Sequence, residues 1–328
     1  MSVIAFAEQR EGALRQTALE AVTAGRVITD GLGGELTAVL LGPPGVRDQA
    51  AELGRYGADR VVVASSDAFA GYAPEGMTDA LVKVIKEGSP KAVVFSASAM
   101  GKDLSPRVAA RLKAGLATDV TEISVESGQV QAIRPVYAGK AFARIGFTAE
   151  PALLSVRPKA YPPIEEPREA RVEELSIGLD PARQRMRVRR VEGESAERPD
   201  VAEADIVVSG GRGMQGPENW TLLEDLVDAL GPSAALGASR AVVDAGWRPH
   251  SEQVGQTGKV VSPQVYFAIG ISGAIQHQAG MRTAKCIVAV NRDAEAPIFK
   301  LATYGIVGDV FEILPRLTEE IRAARSED

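Results

Sequence analysis

Aromatic residues make up only 5% of the 328 residues, and the chain has one cysteine and two histidines. A single cysteine, Cys286, excludes an intrachain disulfide framework and any cysteine-rich metal centre. His250 and His277 are too few for a histidine-based metal site, so no metal is expected. No run approaches the ~18 consecutive apolar residues of a membrane span. The opening Met-Ser-Val-Ile-Ala-Phe-Ala-Glu has neither a basic lead nor a sustained apolar stretch, which reads as a soluble, cytoplasmic protein. A surplus of basic charge is also missing: Lys+Arg 37 against Asp+Glu 43 gives −6. That balance lacks the footprint of a nucleic-acid binder.

Glycine, by contrast, is plentiful at 33 residues, and the 45% of apolar residues are spread along the chain. Modest charge with distributed apolar residues argues against disorder. At about 150 residues per domain, this length predicts two domains, each able to bury a core.

Short unalternated apolar runs at 3–7, 36–41, 60–64 and 92–96 are separated by helical spacing at 14–28, 47–56, 77–87 and 107–113. This alternation predicts a parallel sheet covered on both faces. Strand-like runs at 120–126, 130–136, 140–148 and 152–156 follow, with Ser127-Gly128 as a hairpin turn. The N-terminal domain is therefore expected to be a mostly parallel α/β sheet with added antiparallel strands. Pro158, Pro162, Pro163 and Pro167 then impose an extended segment, either a linker or a strap lying on the first domain. Residues 172–177 suit a further strand. Arg183, Arg185, Arg187, Arg189 and Arg190 partly alternate with Met186, Val188 and Val191. They suit an edge strand with a solvated face, or an ion-paired seam against an acidic partner. A division into 1–190 and 191–328 is expected. In the second part, runs at 205–209, 234–237, 265–269 and 285–290, with helices at 217–230 and 311–323, predict an open parallel sheet of flavodoxin-like or Rossmann-like type.

Polar loops at the ends of these runs carry the chemistry. Ser209-Gly210-Gly211-Arg212-Gly213-Met214 lies between strand and helix, where a parallel sheet binds ligands. Its glycines let backbone approach an anion, and Arg212 is a fork for oxygens. The spacing is not Gly-x-Gly-x-x-Gly, so a ligand-free turn is the other reading. Gly237-Ala238-Ser239-Arg240 reaches the same end, with Arg240 free for a ligand or paired to Asp244 one turn on. Gln253-Val254-Gly255-Gln256-Thr257-Gly258-Lys259 offers amides, a hydroxyl and an amine without apolar periodicity. No Ser or Thr follows Lys259, which excludes a Walker loop and an ATPase; a heteroaromatic ring suits these donors better. In Gly270-Ile271-Ser272-Gly273-Ala274-Ile275-Gln276-His277, Ser272 is expected to cap a helix and the amides near Gly273 to hold a pyrophosphate. Asn291-Arg292-Asp293 suits a sugar or adenine edge, and Asp309 is either a ligand contact or a helix cap. Taken together, these loops predict one nucleotide-sized site.

In this order, with Asp244-Ala245-Gly246-Trp247 and Ala296-Pro297-Ile298-Phe299 among them, the loops resemble the alpha-subunit family of electron-transfer flavoproteins. The N-terminal half agrees in pattern and length. The resemblance implies a heterodimer in which the C-terminal domain holds FAD, the N-terminal domain contacts a beta subunit, and that subunit carries AMP. It implies an electron carrier, not an enzyme with its own small substrate. Electrons would come from acyl-CoA dehydrogenases or similar flavin dehydrogenases, as in fatty acid beta-oxidation, and pass to a membrane quinone oxidoreductase. Arg212, Ser239, Arg240, Val254, Gly255, Gln256, Thr257, Ser272, Gly273, Ala274, Ile275, Gln276, His277 and Asn291 match flavin-binding positions, with Gln253, Lys259 and Asp309 as further additions. Three of these would tune the flavin: Arg240 over the ring, Thr257 near N5, and His277 bringing positive charge toward the pyrimidine carbonyl. The alternatives are a subunit of an electron-bifurcating flavoprotein using NADH, a self-contained flavin oxidoreductase, and a nucleotide-binding subunit without redox work.

Overall fold

The structure, a computed structural model, describes residues 2–137, 139–178, 184–186, 188 and 198–326. The chain forms two compact units, one of residues 1–136 and 141–192, the other of 193–328 with the short stretch 137–140.

The first unit runs β1 (Ser2–Ala7), β2 (Gln9–Arg10), β3 (Ala13–Leu14), α1 (Gln16–Leu32), β4 (Glu35–Gly42), α2 (Ala50–Arg55), β5 (Arg60–Ser65), α3 (Pro74–Gly88), β6 (Ala92–Ser96), α4 (Ala99–Leu112), β7 (Leu116–Val120), β8 (Glu122–Glu126), β9 (Gln129–Val136), β10 (Ala141–Gly146), β11 (Ala152–Val156) and β12 (Arg171–Glu174). Seven strands form a sheet in the order β12-β5-β4-β1-β6-β11-β7, and every pairing in it is parallel. Its unalternated Val/Ile/Leu/Ala strands are buried because apolar residues cover both faces, as a parallel sheet requires. Apart from the short β2–β3 pair, the antiparallel strands form a separate meander, β10-β9-β8. Its β8–β9 turn is Ser127-Gly128, both at positive φ (50° and 74°), which matches the twist of a two-residue hairpin.

Three expectations are corrected. The run at 120–126 is broken at Thr121, which separates the end of β7 from β8 and whose N–H donates to the Ile133 carbonyl at 2.8 Å. The helix expected at 107–113 begins at Ala99, where Ser98 Oγ accepts the Gly101 N–H at 2.9 Å; Pro106 lies inside it. The arginine-rich edge strand falls largely outside the described residues, and residues 184–186 and 188 form no strand. The proline segment is a strap on its own unit. Lys159 N–H donates to Glu20 Oε2 (2.9 Å), Ile164 N–H to Thr23 Oγ1 (3.2 Å) and Arg168 N–H to the Gly54 carbonyl (3.0 Å). These bonds deliver β12 to the edge strand β5.

The order of this sheet reverses between β1 and β6, the position where doubly wound sheets receive ligands. Here Glu8, the residue after β1, fills it. Glu8 is only 2% exposed, and its carboxylate accepts Ser98 Oγ–H at 2.5 Å and Thr17 Oγ1–H at 3.2 Å, at the amino end of α4. Burial raises its pKa, and these hydrogen bonds counteract the rise.

The second unit runs β13 (Ile206–Gly210), α5 (Thr221–Leu230), β14 (Ala234–Ala238), α6 (Arg240–Asp244), β15 (Val265–Ile269), α7 (Ile275–Met281), β16 (Cys286–Asn291), β17 (Tyr304–Val307) and α8 (Val310–Ser326). Its five strands are ordered β14-β13-β15-β16-β17 and are all parallel, the flavodoxin-like arrangement. Trp220, Leu223, Leu226 and Val227 from α5 and its lead-in pack with Leu314 of α8 on one face. Val254, Val261 and Met281 lie in the layer on the other. Among the described residues, no helix is long and apolar enough to cross a membrane.

Candidate functional site

In the second sheet the reversal lies between β13 and β15, and here the strand ends are open. The loops after them meet backbone to backbone. A Cβ on Gly211 would stand 2.3 Å from the Gly270 carbonyl oxygen, and one on Gly213 would stand 2.6 Å from Gly270 Cα. Only glycine permits that approach, and it is locked by Gly211 N–H to the Ile269 carbonyl (2.9 Å) and Gly213 N–H to the Gly270 carbonyl (3.0 Å). A third loop, 253–261, is held against α7. Gln256 N–H donates to the Gln276 carbonyl at 2.8 Å, and Val261 N–H to the Gly280 carbonyl at 2.7 Å.

Together the loops enclose a cavity of about 510 Å³, within the range of small-molecule and cofactor pockets. Of the residues expected from sequence, Arg212, Ser239, Arg240, Gln253, Val254, Gly255, Gln256, Thr257, Ser272, Ala274, Gln276, His277 and Asn291 line it. Four do not, Lys259 among them. The Gly273 Cα is packed against Ile298, where a Cβ would meet its backbone nitrogen at 2.5 Å. Ile275 points outward and is 59% exposed. Asp309 accepts the Phe311 N–H at 2.9 Å as a helix cap and borders an adjoining cavity of about 40 Å³ that shares Gly213, Gly270, Asn291 and Arg292 with the first. Ser272 lines the cavity but caps nothing, since α7 begins after Ala274 without a side-chain cap. Gly211, Gly213, Ala241, Asp244, Gly270, Ile271 and Arg292 also line the cavity. Their signal was their place in the same loops.

Three guanidinium groups, Arg212, Arg240 and Arg292, and one carboxylate, Asp244, border the space. Arg240 Nε lies 3.3 Å from Asp244 Oδ2, both side chains 62% exposed, so the pair is weak and the wall keeps a positive balance. Lys259 instead bonds Asp200 at 2.5 Å. Gln253 Nε2–H donates to Thr257 Oγ1 at 3.0 Å, which leaves the threonine O–H to donate elsewhere. Asn291 is tied locally, donating to the Ile271 carbonyl at 2.9 Å and accepting Asp293 N–H at 3.0 Å.

His277 departs from expectation. It is 7% exposed, and burial pushes its pKa down to about 4, with the Val254 carbonyl counteracting slightly. The ring is therefore neutral in the chain alone and brings no positive charge at neutral pH. An unfolded histidine takes its proton near 6.5 and the folded one only near 4, so between these values the unfolded state binds more protons. Acid therefore destabilises across this window, by up to about 1.4 kcal/mol per pH unit, and the contribution is fully present above it. Urea midpoints measured from pH 7 down to pH 4 are expected to fall more steeply for the natural chain than for His277→Gln.

The comparisons agree with this arrangement. Residues 3–179 match the electron transfer flavoprotein domain and residues 200–282 the electron transfer flavoprotein FAD-binding domain. The electron transfer flavoprotein subunit alpha of Bacillus subtilis is 44% identical over 322 residues, covering 98% of this chain and 97% of that protein. The subunit alpha of Mycobacterium leprae is 41% identical, covering 98% of each. Protein FixB of Clostridium saccharobutylicum is 41% identical, covering 97% of this chain and 95% of its own. The cavity lies within a unit that carries the FAD-binding match, and the relatives align from end to end. The chain therefore belongs to the electron transfer flavoprotein alpha-subunit family, and is an electron carrier of flavin-dependent redox chains.

Proposed function

We propose that this chain is the FAD-holding subunit of a heterodimeric carrier, with residues 191–328 binding FAD and residues 1–190 seating a beta subunit that carries AMP. The observation that carries this reading is the cavity at the strand reversal of the second sheet, where glycine loops and a positive wall converge. The residues fit the group. Backbone approach at Gly211, Gly213 and Gly270 and the Arg212 guanidinium suit a diphosphate. The Gln256, Thr257 and Ser239 donors suit the carbonyls and nitrogens of a flavin ring. When bound, FAD supplies a ring that accepts electrons and gives them up. Arg240 favours negative charge on that ring, and the Thr257 hydroxyl, oriented by Gln253, donates toward its polar edge. Acyl-CoA or similar flavin dehydrogenases are the donors, and a membrane quinone oxidoreductase is the acceptor, with the carrier working in the cytoplasm between them. Gly273, Ile275 and Asp309 act here by shaping the loops.

Co-expression with the beta subunit, followed by cofactor release and chromatography, is expected to yield one FAD and one AMP per heterodimer. Two FADs would redirect the reading to electron bifurcation, and no flavin from a folded heterodimer would sink it. Arg240→Ala is expected to keep the FAD stoichiometry and lower the flavin midpoint potential by tens of millivolts. Roughly 30 mV in a two-electron couple corresponds to about 1.4 kcal/mol. An unchanged potential measured by dye equilibration would remove Arg240 from flavin tuning.

A further inference from the structure

Behind the cavity wall, Tyr266 on β15 is fully buried, and its hydroxyl lies 2.9 Å from Nε2 of His277 on α7. His277 also borders the cavity, so this phenol–imidazole pair joins the core of the sheet to the site. Burial pushes the phenol pKa up, so the phenol keeps its proton and can either donate to Nε2 or accept from it; the tautomer of the ring decides which. The Val254 backbone favours the protonated ring, as a carbonyl facing a ring N–H does. With Nε2 occupied by the phenol, we assign that N–H to Nδ1, a buried atom that makes no other hydrogen bond. The Ser209 hydroxyl on β13, likewise buried and short of a well-formed bond, stands beside the Tyr266 oxygen. It suits a donor to the phenol's lone pairs while the phenol donates onward.

We propose that Tyr266 is a positioning residue: through its bond to Nε2 it holds His277 as a neutral Nδ1–H imidazole, fixed in the cavity wall. The consequence for a bound cofactor rests on the FAD reading above; the tautomer does not. What the wall then presents is an oriented neutral ring in place of a mobile cation. Electrostatic preorganisation of this kind acts on the electronics of a redox group without touching it through the tyrosine itself.

The chain has only two histidines, which makes the proposal directly readable by ring-nitrogen NMR of the full-length protein labelled with 15N-histidine. His250 is exposed, and His250→Gln removes the second set of signals. The expected spectrum shows a pyrrole-type nitrogen at Nδ1 and a pyridine-type nitrogen at Nε2 of His277, unchanged across neutral pH. In Tyr266→Phe this pattern is expected to give way to a mixture of tautomers. Ser209→Ala, which keeps the phenol, should preserve it. With FAD and the beta subunit present, Tyr266→Phe is expected to shift the flavin midpoint potential at unchanged FAD content. An Nε2–H ring or an imidazolium in the natural chain overturns the proposal without any variant. So does an unchanged tautomer in Tyr266→Phe, or a potential that does not move. A chain that shows the Nδ1–H pattern and its loss in Tyr266→Phe, yet retains no FAD, upholds the positioning of His277 and overturns the cofactor reading.

Discussion

Gly211→Val is expected to abolish retention of FAD and to lower the stability of the second unit by about 3 kcal/mol. The first branching carbon would stand 2.3 Å from the Gly270 carbonyl oxygen and 2.8 Å from Ile271 Cγ1. A flexible side chain in the way would move aside at little cost, but Gly270 is backbone and is tied to the loop it would have to leave. Relief requires breaking Gly211 N–H to Ile269 or Gly213 N–H to Gly270, the two bonds that hold the carboxyl ends of β13 and β15 in register. The cavity opens or closes with that register, so binding and stability fall together. Gly146→Ala is the matched control: no atom lies within 4 Å of its added carbon. Flavin content after gel filtration and urea midpoints check both effects. A Gly211→Val protein that keeps its full flavin content would show that the backbone contact of the two loops is dispensable.

Much of this site was legible because ligands of a parallel sheet gather at the carboxyl ends of its strands. Finding the strands was therefore enough to gather Arg212, Arg240, Ser272 and Asn291 at one end before any coordinates. The misses have local causes. Ile275 belongs to a loop of the right composition but falls on the outward side of α7. Gly273 is glycine because Ile298 packs on it, a contact with a residue 25 positions away that no local pattern reports. The charge of His277 departs from expectation for the same reason, since the burial that lowers its pKa comes from packing against elements outside its own motif, Tyr266 of β15 among them. In the first unit, the stretch 107–113 shows only the second half of α4, whose start is set by the Ser98 cap. The break at Thr121, which divides one apparent strand into two, falls where its N–H bonds the Ile133 carbonyl of β9. Periodicity reported the elements; long-range polar contacts decided their ends.

Glu8→Ala is expected to lower the stability of the first unit by about 3 kcal/mol, a large loss for one polar side chain. The two reversal points of this chain are built on one plan, strand end facing helix start, yet only the second is open. In the first, the Glu8 carboxylate stands where an anionic ligand would otherwise meet the amino end of α4. Removing it leaves the Ser98 and Thr17 hydroxyls without their acceptor, and each unsatisfied buried donor costs about 1–3 kcal/mol. Relief from burying a carboxylate offsets part of that sum, which is why the net lies below the simple total. Ser98 suffers twice, because the same hydroxyl that donates to Glu8 also accepts from Gly101 N–H and is oriented by doing both. Glu8→Gln keeps an acceptor oxygen at the same reach and is expected to lose only about 1 kcal/mol. Urea midpoints of the two variants separate the acceptor from the charge: equal losses would mean that the negative charge, not the hydrogen bonds, holds α4 in place. Formate is small enough for the space that alanine leaves, and it should restore part of the Glu8→Ala loss in a saturable way that sodium chloride does not reproduce. A Glu8→Ala chain as stable as the natural one would mean that α4 starts at Ser98 without help from the strand end beside it.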